Sequence, residues 1–207
     1  MRRSAHIITR ELAAHAPFTA FGTITGIVIM ALMFHLRMRP GVSETLFWVF
    51  HPLHVLVSAW TTTAMYRLYA EESRVRLVVI GYFGSVGIAT FSDSVIPYVG
   101  EWLLDLPNKG LHIGAIEKWW LVNPLALAGI LLGRFCPTTK VPHAAHVLLS
   151  TWASLFHMTM ATSAFLDATT LVLVATFLFL AVWVPCCTSD IVFPLLFRDR
   201  RGEAGAR

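Results

Sequence analysis

Two ten-residue stretches of the chain carry the same chemically useful side chains in the same order. HPLHVLVSAW covers residues 51–60, HAAHVLLSTW covers 143–152, and six of their ten positions are identical. The identical positions include both histidines, the serine and the tryptophan. Because residues three and four apart share one face of a helix, each stretch presents two imidazoles and a hydroxyl together.

A second pair of stretches places a carboxylate and a proline in each half of the chain. SDSVIP covers residues 92–97, SDIVFP covers 189–194, and four of six positions are identical. The histidine stretches are 92 residues apart and the Ser-Asp stretches 97 apart, so order and spacing are both kept. This pattern indicates an internal duplication.

Imidazoles and carboxylates inside a membrane predict a functional site. An aspartate at the centre of a membrane helix costs at least ~2.5 kcal/mol on insertion scales, and such residues usually have a function. Imidazole and carboxylate suit Zn, Mn, Fe, Co or Ni, and histidine also carries protons near neutral pH. The predicted metal ligands form two sets near opposite membrane faces: His51, His54 and Asp93, and His143, His146 and Asp190. The secondary candidates are Ser58, Ser92, Ser150, His157, Cys186, Cys187 and Ser189.

The prolines add a backbone argument. Pro97 follows Asp93 by four residues, and Pro194 follows Asp190 by four. Since proline has no amide hydrogen, the spacing predicts that the carbonyl of each aspartate loses its helical partner. Broken helices at matching positions in two halves are typical of a transport site. A simple kink, in which a neighbouring serine or a water bonds the carbonyl, is the alternative.

Composition predicts one polytopic membrane domain over residues 1–207. The chain has 207 residues, of which 56% are hydrophobic and 14% charged. Soluble domains carry about a quarter charged residues. Six segments approach the roughly 20 apolar residues that a membrane helix needs. They cover residues 18–36, 46–66, 77–99, 119–135, 143–165 and 170–197. The predicted fold class is therefore an all-α polytopic membrane protein with six transmembrane helices.

Three spans in each repeat require the second repeat to enter the membrane upside down. Repeat one would cover residues 1–99, repeat two 119–207, and an outer connecting loop 100–118. Inverted repeats are common among secondary transporters. GTITG at 22–26 and GILLG at 129–133 predict close helix packing. They fall at different depths in the predicted spans, so they add no support for the duplication.

The positive charges predict an orientation. With the N-terminus in the cytoplasm, the inner segments hold twelve Lys and Arg residues and the outer segments four. This favours a multi-pass protein of the inner (plasma) membrane with both termini cytoplasmic. The net charge is +4, and the positively charged residues lie at the ends of the predicted spans. This placement does not favour nucleic-acid binding. The expected partners are the lipid bilayer and a metal ion, and a homo-oligomer is left open.

The function expected from these patterns is transport of a divalent transition-metal cation, with alternating access between the two His/Asp clusters. We expect a transporter rather than an enzyme, with the metal as substrate and no assigned cofactor. Three alternatives stay open. They are a haem-binding membrane redox protein, a membrane-embedded lipid-modifying enzyme, and a scaffold whose polar residues only pack helices.

Overall fold

Long helices packed side by side make up the protein. The computed structural model describes residues 2–69, 73–138, 140–162 and 167–187, without the side chains of residues 2–12, 14, 15, 40, 69, 140–143 and 187. These described residues form helices and contain no strand. The helices are α1 (Arg2–His35), α2 (Pro40–Tyr69), α3 (Arg74–Leu103), the short α4 (Gly114–Glu117), α5 (Trp119–Phe135), α6 (Lys140–Met160) and α7 (Ala168–Cys187).

Three of the described helices are long and apolar enough to cross a membrane. They are the Ala16–His35 part of α1, the whole of α3, and the Ala168–Cys186 part of α7; α5 is apolar but shorter. Their outward faces carry large apolar side chains, such as Phe21, which is 60% exposed, and Phe83, which is 63% exposed. Extended apolar surface of this kind is unfavourable in water and compatible with a membrane-embedded protein.

The helices α2 and α6 lie inside the bundle and run antiparallel. The ring of Phe47 contacts His157 at a centroid distance of 5.3 Å, and seven residues further along α2 the ring of His54 stacks on His146 at 4.8 Å. Both helices bury polar side chains that a lipid-facing helix excludes, including Thr61, which has no exposed surface. Their position inside the bundle explains why neither is apolar enough to count as a span by composition.

Glycines allow two helix pairs to approach closely. A Cβ atom at Gly129 of α5 would meet the backbone carbonyl oxygen of Leu56 on α2. A Cβ atom at Gly22 of α1 would lie 3.0 Å from the Oγ1 of Thr151 on α6. The GTITG segment of α1 and the GILLG segment of α5 therefore form the close packing surfaces that the sequence predicts.

The helix α3 stays continuous through Pro97 because it widens into a π-turn at Phe91–Val95. In this turn the N–H of Ile96 donates to the carbonyl of Phe91, five residues back. The same register would pair the Ser92 carbonyl with Pro97, which has no N–H. The hydroxyl of Ser154 donates to that carbonyl at 3.0 Å instead. In this register the carbonyl of Ser92, one residue before the predicted Asp93, has no helical partner, and a neighbouring serine satisfies it.

The connecting segment packs back onto the bundle. Leu106 is buried in the apolar cluster that contains Phe47 and Phe156. The N–H of Asn108 donates to the carbonyl of Ala161, just after α6, at 3.0 Å. The segment therefore covers the ends of α2 and α6 that lie beside it.

Asp167 caps the start of α7, and this cap gives a pH-dependent prediction. The Thr170 hydroxyl, together with the N–H groups of Thr170 and Thr169, donates to the carboxylate and holds the pKa of Asp167 below its usual 3.8. A carboxylate with a depressed pKa stabilises the fold above its ordinary pKa, and this stabilisation is lost as the pH falls through the folded-state value. Asp167→Ala should therefore lower the thermal midpoint at about pH 7, and the difference from wild type should shrink below about pH 3. A difference that is independent of pH would contradict the cap.

Candidate metal centre

The carboxylate of Asp93 lies at the centre of the bundle and accepts four hydrogen bonds. Its Oδ2 accepts from the Nδ1 atoms of His51 at 2.9 Å and His54 at 2.6 Å. Its Oδ1 accepts from the hydroxyls of Ser92 at 2.8 Å and Ser150 at 2.9 Å. None of the five residues is exposed. A carboxylate buried this deeply remains charged only because every lone-pair direction meets a donor.

The carboxylate also determines the tautomer of both histidines. An ionised carboxylate only accepts hydrogen bonds, so the Nδ1 atoms of His51 and His54 carry the hydrogens and each Nε2 carries a lone pair. Both Nε2 atoms are buried and have no hydrogen-bond partner among the described residues. A buried imidazole lone pair with a carboxylate behind the ring is the arrangement of histidine ligands in metal proteins.

Three helices bring together a group of side chains that fits a metal ion. His54 of α2, His146 of α6 and Cys186 of α7 each offer a ligand atom, and these atoms lie within 4.8 Å of one another. Ligand atoms around a tetrahedral metal are about 3.3–3.8 Å apart, given bond lengths of about 2.0–2.3 Å. An imidazole binds a metal in the plane of its ring, so the near-parallel rings of His54 and His146, with 13° between their planes, must tilt toward one another to complete a three-ligand site. Two imidazoles and a thiolate suit Zn²⁺ and similar borderline ions better than Mg²⁺ or Ca²⁺.

The structure brings His54 and His146 together, whereas the sequence predicted that they lie in separate clusters near opposite faces. The two rings stack at 4.8 Å with an angle of 13° between their planes, so this separation is wrong. The reason is the start of α2. The helix begins at Pro40 rather than Leu46, so His54 lies ~21 Å along it instead of ~12 Å, near its midpoint.

The remaining predicted residues divide into three groups. Ser92 and Ser150 bond Asp93, and the thiol of Cys186 lies 3.5 Å from the Ser150 hydroxyl. Ser58 is buried on α2, and its hydroxyl has no hydrogen-bond partner among the described residues. The side chains of four predicted residues lie outside the described part of the chain: His143, Cys187, Ser189 and Asp190.

His157 belongs to a second buried pair that the sequence did not predict. Its Nδ1 lies 2.8 Å from the Oε1 of Glu101, and neither side chain is more than 1% exposed. The other oxygen of Glu101 accepts from the N–H of Gly110 at 3.0 Å. The sequence prediction placed Glu101 in the outer connecting loop, residues 100–118. The missed signal is its spacing, because Glu101 follows Asp93 by eight residues and so lies about two helical turns along a similar face of α3.

Comparison with protein-family models, with curated proteins and with solved structures gives no match for this chain.

Proposed function

We propose that this protein is a six-span membrane transporter for a divalent transition-metal cation, which it binds at one central site. The observation that carries the proposal is the buried group of His54, His146 and Cys186. Asp93 holds the ring of His54 from behind and acts as a positioning residue rather than a ligand. His51 shares the same carboxylate, and its own Nε2 atom is buried against Gly114 of α4.

The relation between His54 and His146 supports two inverted repeats. These residues are counterparts in the two matching histidine stretches, 92 positions apart. In an inverted repeat, a residue on the two-fold axis meets its own counterpart, and the helices that carry the two residues run antiparallel. The stacked rings of His54 and His146 meet both conditions. The axis then passes through the candidate metal site, which is where transporters built from inverted repeats bind substrate.

The glycine contacts supply independent support for the duplication. Gly129 faces Ala59, and Gly22 faces Thr151. Ala59 and Thr151 are again 92 positions apart, and the two glycines are 107 apart. A second set of contacts has the same relation: Gly133 with Thr63, and Gly26 with Leu155. Although the glycines fall at different depths in the predicted spans, they make equivalent contacts, so α1 relates to α5 as α2 relates to α6.

A single site on the axis changes the form of alternating access. The sequence interpretation had the ion exchange between two clusters, one near each face. With one central site, each repeat contributes ligands to the same ion, and rocking of one repeat against the other exposes that ion to either side in turn. Asp190 is the counterpart of Asp93 and Ser58 that of Ser150, so Asp190 stays the predicted partner of His146.

The haem alternative is disfavoured by the ring geometry. Two histidines that hold a haem must lie on opposite faces of the macrocycle. His54 and His146 stack almost parallel at 4.8 Å, which leaves no space for a macrocycle between their rings. No specific contact favours the lipid-modifying enzyme or the scaffold. The positive charges favour an inner-membrane location with both termini cytoplasmic.

Zinc binding and uptake by the purified protein test the proposal. In His146→Ala and in Cys186→Ser, the affinity for Zn²⁺ should fall by more than the ~10- to 100-fold that follows removal of a residue hydrogen-bonded to a metal ligand. Both variants should lose Zn²⁺ uptake into liposomes while keeping the helical circular dichroism spectrum. His35→Ala, which removes an exposed histidine at the end of α1, is the matched control and should behave as wild type. Wild-type binding and uptake in His146→Ala would reject the central site.

A further inference from the structure

The buried pair of His157 and Glu101 has the chemistry of a proton-binding site. In the neutral state of His157, the Nδ1–H and the Gly110 N–H both donate to the Glu101 carboxylate. A proton added to Nε2 makes an imidazolium beside that carboxylate, so the pair cycles between one negative charge and none. Nε2 of His157 is buried and has no hydrogen-bond partner among the described residues, so the position that takes the proton is open.

A route from the pair to solvent passes through His112. The rings of His112 and His157 meet edge to face at 5.4 Å. The side chain of His112 is 32% exposed, and its Nδ1 lies 3.2 Å from the Oε2 of the more exposed Glu117. A carboxylate and two imidazoles therefore lead from the surface to the buried carboxylate of Glu101.

The surroundings of His157 contain few other charges. α3 contributes Glu101, and the connecting segment contributes His112. α2 presents the ring of Phe47, which also stacks on His51 and so separates His157 from the Asp93 cluster. The whole of α7, and residues 16–34 of α1, contain no Asp, Glu, Lys, Arg or His. Within the part of the chain that the structure describes, the pair can therefore change its charge without a second buried charge beside it.

The pair has no counterpart in the repeat pattern. The position 92 residues before His157 is Met65, and the position 97 residues after Glu101 is Arg198. The pair is therefore an addition to the duplicated pattern that contains His54 and His146, and it is not a second copy of the central site.

We propose that His157 and Glu101 bind the proton that the transporter exchanges for its metal ion, and that His112 connects this pair to solvent on one side of the membrane. The inference rests on the proposed transport function. In each cycle one proton from water on that side adds to Nε2 of His157 through His112, and it leaves to water on the other side when one repeat rocks against the other. No covalent bond between heavy atoms changes.

The experiment uses the full chain in liposomes that contain a pH-sensitive dye, with a Zn²⁺ gradient as the only driving force. Wild type should move protons opposite to Zn²⁺. Glu101→Gln and His157→Gln should lose this proton movement and keep their Zn²⁺ affinity within about twofold. In Glu101→Gln the side-chain amide oxygen would still accept the hydrogen bond of His157, so a merely structural role of Glu101 would survive that substitution. His112→Gln, at the surface, should slow proton movement without affecting folding.

The outcomes separate the two proposals. Wild type that carries Zn²⁺ without moving protons, or Glu101→Gln that moves protons as wild type does, overturns the proton site and leaves the transport function standing. Wild type that carries no Zn²⁺ overturns the transport function, and the coupling falls with it.

Discussion

Asp93→Asn is expected to bind Zn²⁺ about 10- to 100-fold more weakly than wild type, because the carboxylate orients the histidines without contacting the ion. The four donors around Asp93 need four acceptor positions. Asparagine provides one oxygen and an NH₂ group. If the oxygen faces the imidazoles, the two serine hydroxyls accept from the NH₂ group and the rings keep their positions, but the imidazoles lose the negative charge that raises the basicity of their Nε2 atoms. If the NH₂ group faces the imidazoles, at least one ring turns or changes tautomer, and the lone pair of His54 no longer points at the site. Isothermal titration with Zn²⁺ in detergent measures the loss.

Two comparisons make the Asp93 prediction specific. Asp105→Asn replaces an exposed carboxylate on the connecting segment, whose side chain is 96% exposed, and should leave Zn²⁺ affinity unchanged. Asp190→Asn should weaken binding as Asp93→Asn does if the two halves are related as proposed. Equal affinity of Asp93→Asn and wild type would mean that the His–Asp cluster only packs the helices.

The helices and part of the central cluster follow from local rules that a sequence carries. Each predicted span overlaps one helix, because uncharged length is visible residue by residue. The grouping of His51 and His54 follows from helical spacing, and the repeated Ser-Asp motif pointed to Asp93 as their partner. The composition of α2 and α6 is less apolar than that of α1, α3 and α7, because helices in the interior of a bundle can carry polar side chains that face one another.

The depth at which helices cross does not follow from such rules. Whether His54 meets His146 depends on the first residue of α2, and a six-residue error there moves the ring ~9 Å along the helix axis. The π-turn in α3 changes which carbonyl Pro97 leaves unpaired, and its hydrogen-bond register has no sequence signature as clear as the proline itself. Burial of Glu101 depends on where the connecting segment folds, which helical periodicity does not determine.

The contact between α5 and α2 positions the central site, and it is the contact least able to accept added volume. A methyl group at Gly129 would press on the carbonyl oxygen of Leu56 and lie 2.8 Å from the Cβ of Ala59. Since the Leu56 carbonyl belongs to the backbone of α2, no side-chain rotation relieves the clash. The whole helix must shift, and Leu56 lies only two residues from His54.

Gly129→Ala should therefore destabilise the protein by about 1–3 kcal/mol, at the upper end of overpacking effects, and should also weaken Zn²⁺ binding. Gly22→Ala, its counterpart on α1, should cost less, because the neighbouring Thr151 side chain can rotate. Gly87→Ala is the matched control, since a Cβ there has no neighbour within 4 Å and alanine favours helix. Unfolding in mixed micelles, followed by circular dichroism, ranks the three variants. If Gly129→Ala is no less stable than Gly87→Ala, the close approach of α5 to α2 is wrong, and with it the position of His54 in the site.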